Sequence, residues 1–202
     1  MNRFATLYQS VREKLGDGSF NPLVQVKAQS KSQNGFKSRV KIRDFELIID
    51  QPRGFEGENM GPKPSEVLLA ALAACQEVTW RLYGEAYGIP ISDVGVDLIG
   101  TQDLRGFMDI DDTTPAGFQK ITGTVTISSS ASEEDIIRLQ QIVEQHCPVL
   151  DDLRRPLDVS LNIEVEPEAA AGGEKLAQKD LNGTVSYSHR SPTLFPYTTE
   201  DT

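Results

Sequence analysis

Cys75 and Cys147 are the only cysteines in this 202-residue sequence. A thiol can attack an electrophile, form a disulfide, or serve as a small buried hydrophobe, and free cysteine is among the most buried residue types. To act as a nucleophile at neutral pH it must become a thiolate, which needs positive charge or hydrogen-bond donors close by. Arg39, Arg43 and Arg53 stand just before the segment that carries Cys75. Glu66, nine residues before Cys75, can complement a helix dipole or hold an arginine over a thiol. Cys147 lies between His146 and Pro148, a sharp chain turn that can expose a side chain. His146 fits a helix-end residue that complements the dipole better than it fits a base. A Cys147–His146 hydrolase pair ranks low, because adjacent residues rarely orient correctly and no third group is evident. His189 is far from His146, and no cysteine stands at metal spacing, so a zinc or iron site is not expected. Nor is there a phosphate-binding or dinucleotide fingerprint, or a nucleophile-elbow motif. Asp109, Asp111 and Asp112 lack the remaining ligands of a calcium loop.

The element that must position Cys75 is the strongest helix signal in the chain, Gly61 to Tyr83, GPKPSEVLLAALAACQEVTWRLY. Pro62 and Pro64 suit a helix entry, since a first-turn N–H would be unpaired anyway. Strong helix formers follow. Leu68, Leu72, Cys75, Thr79 and Leu82 share one face by their spacing. Ala73 and Ala74 leave room for another element to approach. The helix ends near Gly84 or continues weakly to Gly88, and Pro90 forbids more. Cys147 closes a second helix, opened by Ser132 and Asp135 in a capping-box arrangement, with Ile136, Leu139, Ile142 and Val143 on one face. Packing the two helices together could bring the thiols close.

Strands frame these helices. Leu23–Ala28 alternates apolar and polar residues, Asn34-Gly35 signals a hairpin whose partner strand runs to about Arg39, and Ile42–Asp50 places Arg43, Phe45, Leu47 and Ile49 on one face. The stretch QPRGFEGENMGPKP is a loop. Residues 92–106 form a strand leading into an acidic loop, and Phe118–Ser128 should pair with it antiparallel. Leu157–Glu166 is the last strand. Phe4, Leu7, Tyr8, Val11 and Leu15 mark a short amphipathic helix within residues 1–20, ended by Gly16 and Gly18. Residues 167–202 lack sustained periodicity and are expected to be an appendage, mobile or laid on the body or a partner. The order is β-β-β-α-β-β-α-β, an α+β fold with largely antiparallel pairing.

Composition narrows the rest. The formal charge of −10 argues against nucleic acid or an anionic membrane as the main partner. No apolar run reaches the roughly 18 residues of a membrane-spanning helix. The N-terminus is too polar and too interrupted by charge for a secretory signal, so a cytoplasmic protein is expected. Two widely separated cysteines make no disulfide framework there; pairing between them would be transient and catalytic.

The string GPKPSEVLLAALAAC, the later HCPV followed by LRRP, and the preceding IRDFELIIDQP together resemble the OsmC/Ohr family of thiol peroxidases. The resemblance covers about Leu23 to Glu166; segments 1–22 and 167–202 lie outside it as N- and C-terminal extensions. It implies an intertwined homodimer with central helices between sheets and two active sites at the subunit interface. It implies Cys75 as the peroxidatic residue, Cys147 as the resolving one, an arginine that stabilises the thiolate, and a glutamate that positions the arginine. Arg43 is the first choice for that arginine, Arg39 the second, and Glu66 is the glutamate. The implied substrate is an organic hydroperoxide and the implied reductant a dithiol, lipoyl-type among the candidates, with no metal or organic cofactor. Two departures stand out. Ser65 occupies the place where the best-known members carry the glutamate, so Glu66 is rotated by about 100° around the helix. Gly35 is followed by Phe36, so the glycine-arginine loop of the Ohr branch is absent. A non-enzymatic dimer that binds a small apolar ligand in the interface pocket is the alternative.

Overall fold

The computed structural model describes residues 3–166. They fall in two units that divide after Leu157. The first contains every regular element found among the described residues. In chain order these are α1 (Arg3–Gly16), β1 (Gln29–Ser32), β2 (Ser38–Ile42), β3 (Phe45–Ile49), α2 (Pro64–Tyr87), β4 (Ile91–Gln102), α3 (Leu104–Phe107), β5 (Phe118–Ser129), α4 (Glu133–His146) and α5 (Pro148–Arg154). The class is α+β, with two antiparallel sheets ordered β1-β2-β3 and β4-β5.

The helix signals held their places. Pro64 opens α2, and Gly88 closes it in the left-handed conformation (φ 69°) that a residue without Cβ adopts at least cost. Ser132 caps α4, its hydroxyl accepting from the Asp135 amide at 3.2 Å. Leu139 and Val143 of α4 are fully buried. They meet Trp80, Ile89 and Val94 in the core, with Tyr83, Ile91, Val96 and Ile127 packed around it. β4 and β5 form a long ribbon, paired from Ile91↔Ser129 to Gln102↔Phe118 with a register shift near each end, between Ile91 and Asp93 and between Thr101 and Gln102. Its inner side carries Val94 and Val96 against α2 and α4.

Three expected features differ. Leu23–Ala28 is not a strand; Leu23, Val24 and Val26 are exposed, and pairing begins at Gln29, which faces Lys41. The alternation there is real, but a strand needs partners for its backbone N–H and C=O groups, and the Asn34-Gly35 turn reaches back only to Gln29. Leu157–Glu166 likewise forms no strand and leaves Leu157, Val159, Leu161, Ile163 and Val165 exposed. Among the described residues it has no strand partner. Finally, Ile42 pairs with Phe45, so Arg43 and Asp44 form a two-residue hairpin turn and Arg43 (φ 53°) is not on a strand face. Short helices α3 and α5, which the sequence did not signal, follow β4 and Cys147. The appendage expected at 167–202 lies outside the described residues.

Between β3 and α2 the loop 51–63 is held by one side chain. Asp50 is buried, and its carboxylate accepts the amides of Gln51 (2.8 Å), Glu58 (3.1 Å) and Met60 (3.1 Å). These donors, Met60 first, hold its pKa below the ordinary carboxylate value. The loop packs backbone to backbone: a Cβ added at Gly57 would fall on the Gln51 carbonyl oxygen, and one at Gly61 on that of Ile48.

Candidate active site: a pair of thiols at a helix corner

α2 and α4 pack against each other, and α5 also packs on α2. Cys147 is shared by two helices: its backbone closes α4, with its amide donating to the Val143 carbonyl (2.9 Å), and its carbonyl accepts the Asp151 amide of α5 (3.0 Å). Pro148 forces this corner, since it cannot continue α4 but suits the first position of α5. The corner turns the Cys147 side chain onto α2. Its Sγ lies 3.3 Å from Sγ of Cys75 and donates a thiol hydrogen bond to it. Both cysteines are free thiols; Cys147 is fully buried and Cys75 half-buried.

Burial is the largest influence on Cys75 and pushes its thiol pKa up; the neighbouring Cys147 acts in the same direction. The Val149 amide opposes them by donating a hydrogen bond to the sulfur. No cation is among the leading influences. One turn on, the Thr79 hydroxyl donates to the Cys75 carbonyl at 2.6 Å, a back-bond within the helix, and as a hydrogen-bond donor beside the sulfur it acts weakly with the Val149 amide to favour the thiolate.

The other expected site residues stand apart from the thiols in this chain. Glu66 lies in the first turn of α2. Its carboxylate accepts the Lys63 amide at 3.0 Å and sits 4.0 Å from the Lys63 ammonium. It caps the helix, about 13 Å along the axis from Cys75 at 1.5 Å per residue. Arg43 rests its guanidinium on the Phe45 ring, 5.3 Å from the centroid. Arg39 pairs with Glu46 at 3.3 Å, and Arg53 opens a short 3-10 turn. The sheet that carries Arg39 and Arg43 makes no contact with α2 comparable to those of α1, β4, α4 and α5.

The sequence did not mark Gln76 or Trp80 as core residues of α2, yet both are buried with Leu72 and Thr79. Period counting on a helix that is apolar on most sides cannot say which face is innermost. Gln76 also borders a groove of about 500 Å3 between α2, the β4–β5 ribbon and the α4–α5 corner. Leu68, Leu72, Val96, Leu98 and Leu153 give it an apolar lining, and the Glu144–Arg154 ion pair (3.5 Å) stands at one side. Neither cysteine lines it. Among the described residues no group of three or more His, Cys, Asp or Glu side chains could hold a metal ion. No helix among them is long and apolar enough to cross a membrane.

The model of a family described as OsmC-like protein matches residues 57–162. An uncharacterized protein of Haloferax volcanii is 25% identical over 138 residues, covering 68% of this chain and 94% of the relative. Among solved structures, an OsmC-like protein from Mycoplasma pneumoniae superposes with a TM-score of 0.56 at 22% identity, covering 65% of this chain and 88% of the other. A protein from Legionella pneumophila, described as an organic hydroperoxide resistance protein OsmC, gives 0.52 at 20% identity over 66% and 92% of the two chains. Both structures share the fold. With the family match spanning more than half of its length, and including both cysteines, this chain belongs to the OsmC-like protein family.

Proposed function

We propose that this protein is a thiol-dependent peroxidase that reduces organic hydroperoxides. The observation that carries the proposal is the 3.3 Å separation of the Cys75 and Cys147 sulfurs across a helix corner. The more accessible thiol, Cys75, attacks the outer oxygen of ROOH as its thiolate; the O–O bond breaks, Cys75 becomes a sulfenic acid and the leaving alkoxide takes a proton to give ROH. The Cys147 sulfur then attacks the Cys75 sulfur, an S–S bond forms, and the sulfenic oxygen leaves as water. A dithiol, lipoyl-type in the first instance, reopens the bridge by thiol–disulfide exchange and is itself oxidised to a disulfide. The Legionella protein's description as a hydroperoxide resistance protein agrees with this chemistry.

The active form in this proposal is a homodimer in the reducing cytoplasm. Three surfaces support a second copy: the exposed alternating segments 22–28 and 157–166, and the exposed Ala70, Ala71, Ala74 and Val78 on α2. Assembly also answers the missing cation. Arg43, held at the hairpin tip on a sheet that hardly touches α2, is assigned to the Cys75 thiolate of the other copy. Glu66 is the carboxylate that orients it, using the oxygen that the Lys63 amide leaves free.

Counting thiols before and after one equivalent of cumene hydroperoxide tests the proposal, with Cys75→Ser and Cys147→Ser in parallel. Wild type should lose both thiols into an intramolecular disulfide, and Cys75→Ser should lose none. Survival of both thiols would overturn it. The apolar groove beside Gln76 favours a second reading in that event, a non-enzymatic dimer that binds a small apolar ligand.

A further inference from the structure

Helix α1 lies outside residues 57–162, yet it is docked directly on α2. The contact is aromatic. Tyr8 of α1 meets Tyr83 of α2 edge to face, ring centroids 5.8 Å apart and planes at 71°. The Tyr83 ring stacks on His146, 5.4 Å between centroids and 30° between planes. Tyr87 stacks behind Tyr83 at 6.1 Å. Its hydroxyl shares a hydrogen bond with that of Tyr8. Arg12, one turn after Tyr8, lies 5.5 Å from the Tyr8 ring centre. His146 is the last residue of α4 and is covalently joined to Cys147. A continuous run of ring contacts thus leads from α1, across α2, to His146, the residue next to the buried thiol. Aromatic pairs in these geometries attract each other beyond what their buried area supplies.

We propose that Tyr8 is a positioning residue: through Tyr83 and His146, α1 clamps the α4–α5 corner so that Cys147 stays against Cys75 after Cys75 has been oxidised. The inference rests on the peroxidase reading, because the clamp matters at the step where two reactions compete. The Cys75 sulfenic acid can condense with the Cys147 thiol, releasing water and forming the disulfide. It can also meet a second hydroperoxide, which transfers an oxygen to give the sulfinic acid and leaves as ROH. The first is unimolecular and depends on where Cys147 sits. The second depends only on peroxide concentration and access to Cys75. A corner that swings away loses the first and leaves the second untouched.

The test uses the full chain as wild type, Tyr8→Ala and Tyr8→Phe. Each is treated with rising cumene hydroperoxide, and intact mass reports disulfide against sulfinic acid. Tyr8→Ala should reach a given sulfinic fraction at about three- to tenfold lower peroxide, with the rate of the first oxidation of Cys75 unchanged. Tyr8→Phe keeps the ring edge and should follow wild type. Equal sulfinic fractions in wild type and Tyr8→Ala would overturn the clamp, as would a first oxidation slowed in step with them. Diamide supplies the control that separates this proposal from the peroxidase reading, because it joins two thiols without peroxide. Should wild type prove inert to hydroperoxide, that reading falls, and slower diamide closure in Tyr8→Ala would still uphold the clamp. Equal diamide rates would remove both.

Discussion

Closing the thiol pair into a disulfide should raise the melting temperature by roughly 6–12 °C. The sulfurs stand 3.3 Å apart, and a disulfide needs about 2.05 Å, so about 1.3 Å must be closed. Rotation about the two cysteine χ angles is expected to supply that. The bridge would join positions 72 apart, and tethering a loop of that size removes about 4 kcal/mol of chain entropy from the unfolded state. Against this stands the thiol hydrogen bond given up by Cys147, worth about 1 kcal/mol. A net gain of about 3 kcal/mol, at about 2–4 °C per kcal/mol for a chain of this length, gives the stated shift. The assay is calorimetry on protein reduced with excess dithiothreitol and on protein oxidised with one equivalent of diamide, with Cys147→Ser carried through both treatments as the sample that should not shift. An oxidised wild type that melts at or below the reduced form would refute the reasoning. It would mean that the corner must distort to bring the sulfurs together, so the two thiols are neighbours by packing and not poised to bond.

Two charged groups, Arg43 and Asp50, set further expected outcomes. Burial disfavours the Cys75 thiolate, so in Arg43→Ala the rate of iodoacetamide labelling at Cys75 should climb only above the ordinary thiol range, whereas wild type should reach half its maximum at lower pH, with labelling near neutrality about tenfold faster; superimposable profiles would take Arg43 out of the site. The Asp50 carboxylate is held below its ordinary value of 3.8, led by the Met60 amide. Its stabilising effect is therefore present above that value and lost as pH falls through the lowered folded one. Asp50→Asn should melt several degrees below wild type at pH 7, and the gap should close in strong acid; equal melting at pH 7 would remove Asp50 as the organiser of the loop before α2.

Local signals carried the helices and the ribbon. Pro64, Gly88 and Ser132 act within one turn of themselves, and the alternation of Val94, Val96 and their partners is answered by a strand in the same chain. The pairing of the two thiols was foreseeable as far as each cysteine lay on its own helix and those helices had apolar faces to bury. The features that leave no mark in the sequence depend on distant partners or on geometry without a sequence period. Leu23–Ala28 and Leu157–Glu166 have the alternation of strands, but alternation says nothing about which edge will receive them. IRDF has the pattern of a strand, which puts Arg43 on a strand face, but Ile42 pairs with Phe45 and Arg43 and Asp44 turn the chain. Tyr8, Tyr83 and His146 lie on three helices, and no spacing links them. Asp50 looked like the end of a strand, since three amides converging on one carboxylate leave no mark in the order of residues.

The loop before α2 has a bearing on mutation. The obstacle facing Gly57 and Gly61 is backbone carbonyl, and no rotamer of a neighbouring side chain can relieve it. Every amino acid other than glycine brings a Cβ. For these two codons, therefore, every missense change reachable by a single base is steric, and only synonymous change is silent. A stretch that does no chemistry of its own would then accept as little variation as the cysteines it helps to place. Random mutagenesis scored by survival under peroxide should report it as though it were part of the site.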